Sequence, residues 1–314
     1  MEDYPRTLLE FEKRFATEEA CREYVRSLRW PEGFRCPRCG GGSGWPTARG
    51  LYHCRGCGLQ TSVLAGTLFQ DTKKPLQLWF RAMWHITTQK YGANALGLQR
   101  VLGFGTYRIA WTWLHKLRCA MVRPGRDRLC GSVEVDETYI GAEKPGKRGR
   151  GAAGKTLVLI AAQEDGAGIG RIRLRRIKDA SALSLEGALQ MGVEPGSLVH
   201  TDGWSGYSGL GRLGYRHEVI RAQATVGESP LPRVHRVAGL VKRWLLGTYQ
   251  GAVRASHLDY YLDEYTFRFN RRTSRWRGKL FYRLVQQALA VDPLLGTSFL
   301  KHSRTTDPQR VGGT

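Results

Sequence analysis

A modular α/β chain is what the sequence predicts, and three observations predict it. Two Cys-x-x-Cys pairs stand close together near the N-terminus, amphipathic helical patterns follow them, and beyond residue 131 a run of strands gives way to helix, strand, strand and helix. With 314 residues, 41% of them apolar and 10% aromatic, the chain can bury substantial cores. The modules divide as an N-terminal helical segment over 1–30, a cysteine module over 31–72, a helical region over 73–125, an α/β domain over 131–290 and a tail over 291–314.

The first module should open with a helix over 17–29, "TEEACREYVRSLR", where Thr17 serves as N-cap and two glutamates fill the first turn. Cys36 and Cys39 in "CPRCG" and Cys54 and Cys57 in "CRGCG" follow, with fourteen residues between the pairs. A glycine after the second cysteine of each pair allows a sharp turn, so four thiolates can converge on one tetrahedral Zn²⁺. Four sulfur ligands leave no open position, which makes this single zinc structural. Cys21, Cys119, Cys130 and His53 are surplus to it. "GLQTSVLAGTLFQDT" reads as a closing hairpin of the ribbon.

Pro75 then opens a helix carrying Leu76, Phe80, Met83 and Trp84 on one face. "NALGLQRVLG", the break "FGT" and "YRIAWTWLHKLRCAMVR" suggest a helix-turn-helix, whose second helix would enter a DNA major groove; a plain helical hairpin is the alternative. "RPGRDR" links this region to the α/β domain, whose first strand is "SVEVDETYIG". "TLVLIAAQ" and "GRIRLRRIK" continue a three-strand meander, "ASALSLEGALQMG" is a helix, and "SLVHTDGW" and "RHEVI" are two further strands. The helices "PRVHRVAGLVKRWLL" and "SHLDYYLDEYTFRFNRR" close the pattern. That order of elements is the order of an RNase H-like fold.

A formal net charge of +22 draws polyanions, nucleic acid above all. No apolar run is long enough to span a membrane, and the opening residues lack the features of a signal peptide. The expectation is a soluble protein of the cytoplasm, associated with the nucleoid.

In an RNase H-like order the first and fourth strands are neighbours, so Asp136 and Asp202 can reach the same divalent cations. Two Mg²⁺ or Mn²⁺ ions held about 3.5–4 Å apart suit phosphodiester displacement. The helix starting near 233 buries Val234, Val237, Val241, Trp244 and Leu245 and presents His235, Ala238, Gly239 and Lys242 on another face. His235 would reach toward the metals and Lys242 toward a phosphate. Lys147, Arg148, Arg150 and Lys155 in the glycine-rich loop "GKRGRGAAGK", together with Lys242 and Arg243, are candidate DNA contacts.

The blocks "CPRCG…CRGCG", "TSVLAGTLFQDT", "ALGLQRVLG", "VEVDETYIG", "GKRGRGAAGK", "HTDGWSGY", "KRWLLGTYQGAV" and "HLDYYLDEYTFRFNRR" resemble the zinc-ribbon transposases of bacterial insertion sequences, the insertion sequence fifteen-ninety-five group. The resemblance implies a DDE-type transposase, a polynucleotidyl transferase that cuts element ends and joins the freed 3′-hydroxyls to target DNA, working as a homo-oligomer on DNA. Asp136 and Asp202 match the two catalytic aspartates, and Lys242 matches the lysine seven positions beyond the third acidic residue. His235 stands at that third position, where many relatives are acidic; Glu264 and Glu228 are the alternatives. Two rival functions remain, a DNA-binding regulator with an inactive RNase H-like domain and a nuclease that does not join ends.

Overall fold

In a computed structural model of the chain, the structure describes residues 2–123, 125–141, 155–221, 229–251 and 253–294. It forms two compact units, one built from Met1–Pro124 and Ser274–Lys301 and the other on Gly125–Thr273.

The first unit starts with helices α1 (Leu8–Arg14) and α2 (Glu18–Arg29). Each has a threonine N-cap, Thr7 and Thr17, whose hydroxyl accepts from a backbone N–H three residues on. Strands β1 (Gly44–Pro46), β2 (Leu51–Cys54) and β3 (Gln60–Ser62) make a small antiparallel sheet. The expected closing hairpin is not there: after β3, residues Val63–Thr72 run through successive turns held by local bonds such as Thr67 N to Leu64 O and Gln70 N to Thr67 O. Thr67 and Ser62 hydroxyls also accept from Phe69 and Leu64 N–H groups, so local side-chain bonds win over strand pairing. Helices α3 (Leu76–Thr88), α4 (Ala95–Leu102) and α5 (Tyr107–Ala120) follow. Asn94 caps α4, Gly103 ends it in the left-handed region at φ 65°, and Thr106 caps α5. In α5 only the first turn, with Tyr107 and Arg108, is exposed; Trp113, Leu114, Leu117 and Arg118 are buried.

The second unit holds the five-stranded sheet. Strands β4 (Ser132–Ile140), β5 (Thr156–Asp165) and β6 (Gly168–Ile177) form the antiparallel meander. After α6 (Ala182–Gly192) come β7 (Leu198–Thr201) and β8 (Arg216–Val219), giving the spatial order β6-β5-β4-β7-β8 with β4, β7 and β8 parallel. Helices α7 (Pro232–Tyr249) and α8 (Leu258–Phe269) complete the unit. Val133, Val135, Leu159 and Ala161 face one core with Leu185 and Leu189 of α6. Val158, Ile160, Ala162 and Ile172 face the other with Val234, Val237 and Val241 of α7 and Tyr261 and Tyr265 of α8. The outer edge of β6 is covered: Asn270 accepts from Ile172 N at 2.7 Å and donates to Ile172 O at 3.1 Å, which blocks pairing with another chain.

The last helix, α9 (Gly278–Ala290), leaves this unit and belongs to the first, where it packs on α3 and α5. Phe281 sits in an aromatic cluster with Phe11, Phe15, Tyr24, Phe80 and Trp84, ring centroids 5.3–6.4 Å from its own. The α/β unit therefore ends at Thr273, before the boundary of 290 expected from sequence. The apolar stripe of α9 was free to cover either core, and the aromatic side chains of the first unit take it.

Candidate active site and zinc ribbon

The ribbon is two copies of one backbone turn. In the first, Cys36 N donates to Gly41 O and Gly40 N to Cys36 O; in the second, Cys54 N donates to Leu59 O and Gly58 N to Cys54 O, all at 2.9–3.0 Å. Gly40 and Gly58 sit at φ 70° and 69°, where a side chain would be strained. The four sulfurs lie within 4.8 Å of one another, with Cys36 Sγ to Cys57 Sγ and Cys39 Sγ to Cys54 Sγ both 3.6 Å. Sulfurs bound tetrahedrally at about 2.3 Å from zinc would stand about 3.8 Å apart, so the cluster fits that ion. Hydrogen bonds from the Cys39 and then the Arg38 backbone lower the Cys36 thiol, while Cys57, against a backbone hydrogen bond from Leu59, is raised by burial and the neighbouring sulfurs, so one thiol of the cluster ionises at the expense of another.

The carboxylate site is assembled on β4. Alternation along the strand sends Glu134 and Asp136 to the α7 side and Val133, Val135 and Glu137 to the α6 side. The adjacent acids of "VDET" thus serve opposite faces. Glu137 Oε2 accepts a 2.8 Å bond from the buried Tyr207 hydroxyl. Asp136 Oδ1 accepts from Glu137 N at 2.8 Å, and its Oδ2 lies 3.2 Å from His235 Nε2. The other ring nitrogen, Nδ1, pairs with the Ser229 hydroxyl.

Asp202 enters from the end of β7, which runs parallel beside β4. Ser132 pairs with Leu198, Val133 with Val199 and Glu134 with His200, where the pairing ends. β7 ends at Thr201, and Asp202 Oδ1 accepts from Trp204 N at 3.0 Å in the turn that follows. Gly203 at φ 84° makes that turn, and a Cβ there would lie 2.6 Å from Val219 Cγ1. Burial raises the Asp136 carboxyl to about 6, the charges of Glu137 and Asp202 push the same way, and the Glu137 N–H and His235 oppose them. A divalent cation beside Asp136 would relieve the repulsion from these neighbouring charges.

Residues 128–270 match the ISXO2-like transposase domain, and residues 16–60 match the transposase zinc-ribbon domain. The two matches together span more than half of the chain. The chain belongs to the zinc-ribbon transposases of the insertion sequence fifteen-ninety-five group. An uncharacterized protein in transposable element ISH50 of Halobacterium salinarum is 25% identical over 257 residues, 74% of this chain and 85% of that protein. The Mos1 strand transfer complex is 14% identical, with 70% of this chain and 78% of that chain covered and a TM-score of 0.27. A pre-cleavage Mos1 transpososome is 13% identical, with 72% and 82% covered and a TM-score of 0.25. Scores this low carry no argument.

In this transposase the structure pairs Asp136 with His235 and places Asp202 where its charge acts on Asp136; among the described residues only the four cysteines bring three or more ligand atoms within 4.8 Å of one another. Partial burial lowers the Lys242 ammonium, the charge of Lys155 adds to the effect, and Asp136 opposes it. Lys155 and Lys242 therefore share one neighbourhood with the carboxylates. Arg243 is exposed on another side of α7, where its charge acts on Tyr265. Glu264 is fully buried in α8 and accepts from the Tyr249 hydroxyl at 3.2 Å, which engages it in the core rather than beside Asp136. Lys147, Arg148, Arg150 and Glu228 lie outside the described residues. A Cβ on Gly239 would meet nothing within 4 Å, so protein packing does not demand that glycine, and the face between His235 and Lys242 is open. Among the described residues no helix is long and apolar enough to cross a membrane.

Two contributors escaped the sequence reading. Tyr207, fully buried, holds Glu137 from behind the strand. Glu134, 2% exposed, accepts from Arg233 N, Val234 N and Arg233 Nη1 at 2.7, 3.0 and 2.8 Å. The alternation itself could have flagged Glu134, since an acid in phase with Asp136 on a core strand needs donors.

Proposed function

We propose that this transposase cuts the ends of its element and joins the freed 3′-hydroxyls to target DNA by two-metal phosphodiester chemistry. The observation that carries the reading is the 3.2 Å approach of His235 Nε2 to Asp136 on β4, beside the parallel strand β7 whose following turn carries Asp202. Divalent cations held by these three side chains, Mg²⁺ or Mn²⁺, would supply an activated oxygen nucleophile and stabilise the leaving oxygen. Asp136 and Asp202 supply the negative oxygens, and the Ser229 hydroxyl on Nδ1 orients His235 so that Nε2 faces the carboxylates. Lys242 and Lys155 bind the phosphates that flank the scissile bond. An imidazole in place of a third carboxylate favours Mn²⁺ over Mg²⁺.

The charge of +22 holds DNA away from the scissile bond, so binding weakens steeply with salt. The zinc ribbon and the α4–α5 hairpin contribute to recognition of the ends, and two ends require a homo-oligomer on DNA. The test uses duplexes taken from the DNA that flanks the coding sequence. Asp136→Asn and Asp202→Asn each abolish metal-dependent cleavage and strand transfer while DNA affinity stays within about twofold. Cleavage at the wild-type rate in either variant refutes the assignment. Cutting without joining would instead mark a nuclease, and binding without cutting a regulator.

A further inference from the structure

We infer that Glu134 is a positioning residue of this site, fixing α7 against β4 so that His235 meets Asp136; the inference rests on the metal-site reading above. Helix α7 begins without a cap of its own: Leu231 at the N-cap offers no side-chain acceptor, and the first turn has no acidic residue. Its free N–H groups are satisfied instead from the sheet. Glu134 Oε2 accepts from the backbone N–H of both Arg233 and Val234, and Oε1 from the Arg233 guanidinium. A carboxylate this buried is strongly destabilising unless charge-assisted bonds compensate it, and three donors from one helix start do so.

The consequence is geometric. Glu134 and Asp136 are two residues apart on one face of β4, about 6.7 Å along the strand. The donors and His235 are consecutive at the start of α7. One rigid strand and one helical turn therefore share two contacts, Glu134 with Val234 N and Asp136 with His235 Nε2, and the first fixes the rotation and height of the helix for the second. Arg233 strengthens the clamp: its other nitrogens donate to Gly166 O and Gly168 O at 2.9 and 3.0 Å, and Nη1 lies 3.1 Å from Glu164. Lys242, two turns further along α7, inherits the same alignment.

A double-mutant cycle on the full-length, zinc-loaded protein separates positioning from simple helix stabilisation, with Mn²⁺ binding followed by electron paramagnetic resonance as the readout. Glu134→Gln keeps the shape, but whichever way the amide turns its NH₂ group faces a donor, the Arg233 guanidinium or the backbone N–H pair, and the charge is lost. Mn²⁺ affinity should fall about tenfold to a hundredfold, with cleavage falling alongside. In a His235→Ala background the same change should cost less than about twofold, because the ligand that Glu134 places is gone. Wild-type Mn²⁺ affinity in Glu134→Gln, or an equal loss in both backgrounds, overturns the proposal. Should Glu134→Gln fail to fold, Glu134→Asp, which keeps the charge but draws the carboxylate back from the helix start, is judged by the same two criteria. Asp136→Asn keeps the two readings apart: if it leaves Mn²⁺ binding unchanged the metal site itself is wrong, whereas loss in Asp136→Asn beside wild-type behaviour in Glu134→Gln refutes only the positioning role.

Discussion

The ribbon gathers its four thiolates from two knuckles between Cys36 and Cys57, while the carboxylate site takes Asp136 from β4, Asp202 from the turn after β7 and His235 from α7, 99 positions beyond Asp136. The ribbon has three short strands and one small aromatic cluster of Trp30, Phe34 and Tyr52, so the metal should supply most of its order. The carboxylate site rests on a five-stranded sheet with a core on each face, which stands whether or not a cation is bound. One site is made by its metal; the other is made by its fold.

Stripping zinc is the largest test of that contrast. A strong chelator, or Cys36→Ser, should unfold the ribbon, since structural zinc sites carry about 10–16 kcal/mol of apparent binding free energy. Amide exchange should then accelerate across β1–β3 while β4 and β5 keep their protection; a ribbon that stays protected without zinc breaks the comparison. Changing the third ligand comes next. His235→Glu should shift the cleavage preference from Mn²⁺ toward Mg²⁺ by about tenfold in rate ratio, and an unchanged ratio would remove His235 from the metal's ligands.

Tyr207→Phe deletes the bond to Glu137 and should lower unfolding free energy by about 2 kcal/mol, as for other hydrogen bonds to charged acceptors, with zinc content unaltered. The smallest effect concerns Asp136 itself. Its raised pKa means that the fold disfavours the ionised form, a penalty that is absent well below pH 4 and fully present above about pH 6. At neutral pH, with zinc in the ribbon and no other divalent cation present, Asp136→Asn should therefore raise the denaturant midpoint, even as it abolishes cleavage. Destabilisation by the same change would mean that the carboxylate is held by attractions rather than crowded by like charges.

Much of this architecture was legible from local pattern. Thr17 caps α2 as its sequence suggests, the Cys-x-x-Cys spacing converges four sulfurs, and Val234, Val237, Val241, Trp244 and Leu245 form the buried stripe of α7. Placing Asp136 on β4 and Asp202 just past the end of the neighbouring β7 required only the order of elements. What escaped was whatever depends on the partner met after folding. Glu264 carries the same carboxylate as Asp136, yet α8 buries it against Tyr249. The stretch after β3 reads as a strand by composition, but its Ser and Thr hydroxyls close turns instead.

The sequence alone determined the zinc module, the periodicity of each helix and strand, and the positive charge that draws DNA, because each depends on residues within a few turns or on simple counting. Tertiary structure decided that α9 joins the aromatic core of the first unit, that Glu137 faces away from Asp136 toward Tyr207, and that the start of α7 is capped from a strand about a hundred residues earlier. Those outcomes turn on which surfaces exclude water together and which buried donors find an acceptor, and neither is settled until distant segments have packed.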